Sequence, residues 1–300
     1  MIKRLSRSNT LKFYLLVSPW LVGFVVFVAG PMVYSMYLSM TRYTMLNPPS
    51  WIGLANYTNL LRDARFLKSL RVTATYTFVG VPLRLIFAFA IALMLNNIRR
   101  GKDFIRTVYY LPSVVSGVAV VVLWRWLFNP EVGLVNHILG WFGIQGPGWL
   151  YDPDWALPAL IIMSLWGVGR DVVIFLAGLQ GIGVQLYEAA RIDGAGGWQC
   201  LRYITVPMIS PTIFFNLVMG IIGSFQVFTD AYVATQGGPM DATLVTVLYL
   251  YLQAFGNLRM GYASAIAWVL FVIIMFFTLL IIRSSTVWVF YETEIGGKKA

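Results

Sequence analysis

Polar and apolar residues along this chain are segregated into blocks. Six long apolar stretches, at 14–38, 72–95, 105–128, 157–179, 206–228 and 262–282, are separated by shorter polar segments. A helix needs ~20 residues to cross a hydrocarbon core of ~30 Å, and each stretch is about that long. Water is absent inside a bilayer, so the backbone must satisfy its own hydrogen bonds and such runs form helices. The pattern predicts an all-α membrane protein with six transmembrane helices. Pro19, Pro31, Pro82, Pro112, Pro158, Pro207 and Pro211 lie in or at the edge of these stretches, where a proline kinks a helix.

The basic residues give an orientation, because Lys and Arg gather on the cytoplasmic side. Lys3, Arg4, Arg7 and Lys12 precede the first stretch; Arg99, Arg100, Lys102 and Arg106 follow the second; Arg191 and Arg202 follow the fourth; Arg283, Lys298 and Lys299 follow the sixth. All four groups fall on one side, which is predicted to be cytoplasmic together with both termini. On the other side, segment 129–154 holds Glu131, Asp152 and Asp154 and no Lys or Arg. Segment 41–71 departs from this pattern, with Arg42, Arg62, Arg65, Lys68 and Arg71 on the side counted as external. The spacing of Leu60, Leu61, Phe66, Leu67 and Leu70 predicts an amphipathic helix lying on the membrane surface, its charges among anionic headgroups.

Composition agrees with the membrane reading. Hydrophobic residues make up 59% of the 300 positions and charged residues 11%, with a mean hydropathy of +0.74, which excludes an ordinary water-soluble domain. The net charge of +10 sits at the ends of apolar runs without an aromatic-interleaved patch, so no nucleic-acid partner is expected. A single cysteine, Cys200, cannot form an internal disulfide, and the lone His137 leaves no Cys/His metal set. The first apolar run has no small-residue cleavage site and reads as a retained span. The expected organisation is an amino terminus at 1–13, one membrane domain over 14–283 with a polar loop at about 182–205, and a tail at 284–300.

That loop, containing YEAARIDGAGGWQCLRYITVP, is the most informative segment. Leu186, Ala189 and Ala190 fall on one helical face and Glu188 and Arg191 on another, which predicts a short helix over 184–192. Gly194, Gly196 and Gly197 then permit a sharp turn, and a second short helix is expected over about 198–203. A helix this short is not stable alone and must be braced by the bundle and by a partner. Glu188-Ala189-Ala190, Gly194, Ile204 and Pro207 reproduce the spacing of the EAA motif of ABC importer permeases. Val206 replaces the usual leucine, and Gly183 stands where proline often follows the isoleucine. The stretches FLAGLQGIGVQLYEAARIDGAGGWQ and SFQVFTDAYVATQGGP resemble the carbohydrate-uptake group of these permeases, that of the maltose and glycerol-phosphate importers. SPWLVGFVVFVAGPMVYSMYLSMTRY and GYASAIAWVLFVIIMFFTLLII resemble the first permease of such pairs.

The resemblance implies a type I permease fold in which 184–197 is a coupling helix docked on a cytoplasmic ATPase. Glu188 would contact that subunit and Gly194 set the turn, with Tyr187, Ala189, Ala190, Arg191 and Asp193 completing the docking segment. It also implies a second homologous permease, two ATPase subunits, an external solute-binding protein and a carbohydrate substrate. The chain has no GxxxxGK[ST] phosphate loop. It is therefore expected to be a transport subunit without a cofactor of its own, ATP and Mg²⁺ residing on the ATPases.

Ionisable groups inside a span cost roughly 2.5–3.5 kcal/mol on insertion scales and mark functional candidates. Arg84 lies in the second stretch, and Arg170 and Asp171 in the fourth; each is a solute contact or a structural tie, such as an Arg170–Asp171 pair. By the resemblance, Gly167 and Arg170 fall where permeases of the maltose type hold the sugar. Ser224, Gln226, Thr229 and Asp230, with Phe225 and Phe228, offer the planar polar groups and aromatic faces that suit a saccharide, although Ser and Gln also bond helix to helix. Arg125 is placed to snorkel, and Trp149, Tyr151 and Trp155 to mark the interface. Neutral oligosaccharide is the first choice of cargo; an acidic saccharide or a phosphorylated polyol is the alternative that Arg84 and Arg170 would favour. Two other classes remain: an ion-coupled secondary transporter, which inverted repeats would favour, and a membrane enzyme, for which no nucleophile–base set stands out.

Overall fold

A computed structural model describes residues 7–98 and 102–290. Lys3, Arg4, Arg99, Arg100, Lys298 and Lys299, used above for orientation, lie outside the described residues, as do the side chains of Arg7, Lys102 and Arg106. In chain order the elements are α1 (Arg7–Phe24), α2 (Gly30–Ser39), β1 (Thr41–Thr44), β2 (Asn47–Trp51), α3 (Ala55–Leu60), α4 (Ala64–Asn96), α5 (Lys102–Val114), α6 (Gly117–Leu127), α7 (Leu134–Trp141), α8 (Ala156–Leu165), α9 (Gly169–Gln180), α10 (Val184–Ile192), α11 (Gly197–Cys200), α12 (Val206–Met208), α13 (Ser210–Phe225), α14 (Thr229–Thr235), α15 (Thr246–Tyr251) and α16 (Met260–Trp288).

Lys12–Ser39, Ala64–Asn96 and Met260–Trp288 are each long and apolar enough to cross a membrane as one helix. Three bent pairs, Thr107–Val114 with Gly117–Leu127, Ala156–Leu165 with Gly169–Gln180, and Gly197–Met208 with Ser210–Phe225, bring the number to six when each pair is one span. These coincide with the six apolar blocks of the sequence.

The prolines act differently from a simple kink. The Gly30 N–H bonds to the Val25 carbonyl just before Pro31, and the Val206 N–H to the Leu201 carbonyl just before Pro207. A proline nitrogen cannot donate, and in both places one wide turn absorbs the register change ahead of it. Helix α4 continues unbroken through Pro82. The sharp bends are 102° between α5 and α6, 46° between α8 and α9, and 62° at Ile209, the last flanked by Pro207 and Pro211. At the first of these Ser116 is extended (φ −54°, ψ 128°), four residues beyond Pro112.

The chain forms two compact units, the described part of Met1–Asp63 with Leu250–Val269, and Ala64–Tyr249 with Leu270–Ala300. In the first, β1 and β2 pair antiparallel with Thr41 opposite Trp51 and Thr44 opposite Asn47. The buried Asn56 amide donates to the carbonyls of Ser39 (2.8 Å) and Thr41 (2.9 Å), which fixes the end of α2 to the hairpin.

This hairpin corrects the expectation of an amphipathic surface helix in 41–71. Pro48 and Pro49 exclude a helix interior before Ala55, and the rest of the segment is divided between α3 and the start of α4. Leu60 (1% exposed) and Phe66 (2%) are core residues, while Leu61 (73%) faces outward. Two of the charges find protein partners within the second unit: Arg65 Nε and Nη2 each donate to an Asp241 carboxylate oxygen at 2.8 Å, and Lys68 Nζ donates to the Met240 carbonyl at 2.6 Å.

The second unit is organised on α4 and α9. Ala88, Ile91, Ala92 and Leu95 of α4 pack with Val172, Phe175, Leu176 and Leu179 of α9, spacings that place each set on one helical face. A second cluster joins Val81, Ile221, Phe225, Leu270 and Ile281. Association inside a bilayer depends on close packing because lipid is as apolar as the side chains. Gly169 meets that demand: a Cβ there would run into the backbone carbonyl of Tyr109 on α5. Gly169→Val is therefore expected to lower stability by about 1–3 kcal/mol, read as a fall in melting temperature in detergent. Gly223→Ala, at a position with open space around it, should leave the melting temperature unchanged or raise it.

Candidate functional site

The polar loop folds as α10, a turn, α11 and a wide turn over Leu201–Thr205. Extended Gly183 (φ −60°, ψ 130°) starts α10, and its end is closed by Asp193 N–H to Ala189 O (3.0 Å) and Ala195 N–H to Ala190 O (2.8 Å). Gly194 has φ +82° with open space where a Cβ would stand, so glycine is needed here for its backbone conformation alone. The next turn is locked by Gly196 N–H to Gln199 Oε1 at 2.6 Å. The Tyr187 hydroxyl donates to Thr205 Oγ1 (3.0 Å), which donates to the Cys200 carbonyl (3.3 Å).

Helix α10 spans the residues read from the sequence, but its inner face is different. Tyr187 packs against the cluster of α4 and α9, beside Ile204 and Met208. Leu186 and Ala189 are exposed and Ala190 is half-buried. The Tyr187–Thr205 bond fixes the rotation of a helix too short for a three-residue apolar face to do so. Glu188, Arg191, Asp193 and Gly194 line the outer edge, together with Ile192 at 87% exposure and, beyond the turn, Trp198 at 75%. Glu188, Arg191 and Asp193 form no ion pair among the described residues. An edge that mixes free charges with large exposed apolar side chains fits contact with another protein.

A separate cavity of about 310 Å³ lies within the second unit. Its walls bring Tyr76 and Arg84 of α4 together with Ser164, Gly167 and Arg170 around the α8–α9 break and with Asp230 of α14. Arg84 Nη2 donates to Asp171 Oδ2 at 2.9 Å, with side chains 34% and 18% exposed. Asp171 is thus tied across to α4, and the Arg170–Asp171 pair weighed from the sequence does not form. Arg170 is exposed and has no ion pair among the described residues. Arg84 is also a charge neighbour of Asp230. Of the charged groups, Arg84, Arg170 and Asp230 line this space, and Asp171 offsets the charge of Arg84 through their ion pair.

The other residues singled out near Asp230 do not join it. Helix α13 stops at Phe225, where Gln226 N–H bonds to the Gly223 carbonyl (3.2 Å) and Val227 N–H to that of Ser224 (3.2 Å). This ends the fifth span before Phe228, and the chain restarts at Thr229 as α14. Ser224 is buried with an unpartnered Oγ, Gln226 and Thr229 are exposed, and Phe228 stacks on Tyr232 at 5.2 Å between centroids. Of the substrate candidates, Gly167, Arg170 and Asp230 are brought together.

Sequence reasoning passed over Tyr76, Ser164 and Trp166. Tyr76 lies eight residues before Arg84, two turns up the same helical face, a signal available in retrospect. Trp166, on the cavity wall, stands edge-on to Trp124 (6.0 Å, 80°). Trp149 is no interface marker: it is buried (7% exposed), stacks on Phe128 at 4.8 Å and donates to Asn136 Oδ1 at 2.5 Å. Tyr151 and Trp155 are exposed. Arg125 Nη1 reaches the Val233 carbonyl at 3.4 Å, so its charge is directed along α14.

Residues 84–287 match the family model described as binding-protein-dependent transport system inner membrane component. The chain is 44% identical over 293 residues to the probable ABC transporter permease protein YesP of Bacillus subtilis (strain 168), covering 96% of this chain and 94% of that one. It is 35% identical over 279 residues to the lactose transport system permease protein LacF of Rhizobium radiobacter, covering 88% and 92%. In three dimensions it resembles a chain of a bacterial alginate ABC transporter crystallised with an alginate pentasaccharide-bound periplasmic protein. The TM-score is 0.82 at 25% identity, over 93% of this chain and 95% of that one. The matched region runs from Arg84 through the polar loop to the end of the last span, and the chain belongs to the inner-membrane component family of binding-protein-dependent transport systems, the permeases of ABC transporters.

Proposed function

We propose that this permease forms one half of the membrane pathway of an ATP-driven carbohydrate importer, with a second homologous permease as the other half. Two cytoplasmic ATPase subunits drive it, holding ATP and Mg²⁺, and an external solute-binding protein delivers the sugar; the permease itself holds no cofactor. Both termini and the α10 loop face the cytoplasm, in line with the basic residues Lys12, Arg191, Arg202 and Arg283. The sugar class is supported by relatives that carry lactose and alginate, and by a cavity that offers an exposed indole at Trp166 beside planar polar groups at Arg170 and Asp230. The balance of charge around that space favours a neutral oligosaccharide, whose hydroxyls satisfy donors and acceptors without adding net charge.

The observation that carries the mechanism is the braced loop. Helix α9 leads from Arg170 at the cavity to Gln180, and Ile182 and α10 follow within a few residues. Its 12 residues make a strut about 18 Å long, packed rigidly on α4. The Tyr187–Thr205 bond ties the same loop to the segment that enters α12 and α13. A displacement imposed on α10 by closing ATPase subunits is thereby passed to both spans, and the cavity wall at Gly167 and Arg170 moves with α9.

In vesicles reconstituted with both permeases, the ATPases and the binding protein, uptake should follow ATP on the cytoplasmic side and ignore ionophores. Uptake driven by an ion gradient without ATP would overturn the reading in favour of a secondary transporter. Glu188→Lys should reduce uptake about tenfold or more by reversing a charge at a desolvated contact, with the protein still inserted and assembled; unimpaired uptake refutes the coupling role. Arg170→Gln and Asp230→Asn should each lower uptake while basal ATP hydrolysis stays at its unsubstituted level. Equal loss of both activities would place these residues in assembly instead.

A further inference from the structure

The basic residues of segment 41–71 divide into two groups. Arg65 and Lys68 are met by Asp241 and the Met240 carbonyl. Arg42 and Arg62, joined by Arg259, instead line a cavity of about 630 Å³ inside the first unit. All three are exposed, and no carboxylate among the described residues pairs with them. Asp63 is the one carboxylate in this wall, and it accepts a hydrogen bond from the Tyr262 hydroxyl at 2.6 Å. The remaining wall includes Tyr43, Thr44 and Asn59, neutral groups able to donate. Three cations thus surround a concave space against a single, already engaged anion.

The wall is held in place by the fold. Asn56 fixes the carbonyls of Ser39 and Thr41, and the Ile52 N–H bonds to the Met40 carbonyl at 3.0 Å. The first turn of α16 is pressed onto β1, since a Cβ at Gly261 would collide with the Thr41 carbonyl. That turn is the positive end of a 29-residue helix, which adds to the attraction of the guanidiniums for an anion. The volume lies within the ~300–1,000 Å³ of small-ligand sites.

We infer that this cavity binds a ligand carrying an anionic oxygen group, a carboxylate or a phosphate. Arginine presents a planar fork of donors that matches either group in a bidentate manner, and three of them line this one concavity. The cavity shares no residue with the one around Arg170 and Asp230, so the inference stands apart from the transport reading. The anion has two sources, an acidic saccharide or free phosphate in water, and the headgroup of an anionic lipid.

The test uses the full chain purified in an uncharged detergent. Titration calorimetry with galacturonate and with inorganic phosphate reports the soluble source. Native mass spectrometry from nanodiscs of phosphatidylglycerol, against phosphatidylcholine alone, reports the lipid source. Saturable binding in either arm is expected, weakening as salt is raised. Arg42→Gln with Arg259→Gln should weaken it about tenfold or more, the loss of charged hydrogen bonds. Arg283→Gln, which removes one positive charge near the far end of α16, should leave binding unchanged, and Arg42→Gln alone, with the same single loss of charge, should weaken it. Arg62→Gln serves as a second variant if the double substitution unfolds, which its melting temperature without ligand would reveal. No binding in either arm, or binding indifferent to the cavity arginines, overturns the inference.

Discussion

The bond from Arg84 Nη2 to Asp171 Oδ2 governs what the other polar groups of the bundle can do. An ionised side chain in a span costs roughly 2.5–3.5 kcal/mol on insertion, and pairing Arg84 with Asp171 across α4 and α9 offsets much of that for both. It also sets the rotation of α9. Neighbouring residues on a helix point about 100° apart, so Asp171 turned toward α4 leaves Arg170 turned away from it, on the cavity wall. One interhelical bond thereby separates two adjacent charges, one held in an ion pair and one exposed on the cavity wall.

The same two helices carry the apolar zipper that runs from the cavity to the polar loop. Small residues make it close: Ala88 and Ala92 are fully buried against α9, and Gly169 admits the backbone of α5. A contact of this density behaves as a rigid body and transmits displacement instead of absorbing it. Helix α10, by contrast, is held through one side chain and one pair of hydroxyls, Tyr187 and Thr205. Its exposed edge is therefore free to conform to a partner while its inner side remains attached to the spans.

The six spans were legible in the sequence because lipid imposes one requirement on all of them, a helix of sufficient apolar length. The loop was legible because Gly194 and the surrounding spacing are local features, and α10 occupies the residues that its pattern indicates. Features set by contacts far apart in the chain were not. The partner of Asp171 stands 87 positions away, and no periodicity reveals it over the adjacent Arg170. The face of α10 depends on Thr205, and Trp149 is buried through Asn136 and Phe128. The 41–71 segment was misread because its apolar set, Leu60 to Leu70, was taken as one helical face, whereas α3 ends at Leu60 and α4 starts at Ala64, and Leu60 and Phe66 are buried in protein. In each case a tertiary partner or a backbone constraint overrode a local pattern.

The position of the cavity follows from where the spans break. Backbone that leaves the helical path cannot face lipid, and is tolerated at membrane depth where protein or a wet cavity covers it. The α5–α6 elbow contributes Ser113 and Gly117 to the cavity wall, the α8–α9 break contributes Trp166 and Gly167, and the restart after α13 contributes Asp230. The unbroken α4 supplies Tyr76 and Arg84 as the fixed side. Three interruptions that would each be costly alone thus meet in one place, where water or a sugar hydroxyl can take the freed backbone groups. On the proposed reading, a saccharide suits such a lining for the same reason that lipid does not: it offers hydrogen-bonding groups on every side, and an apolar ring face for the indole of Trp166.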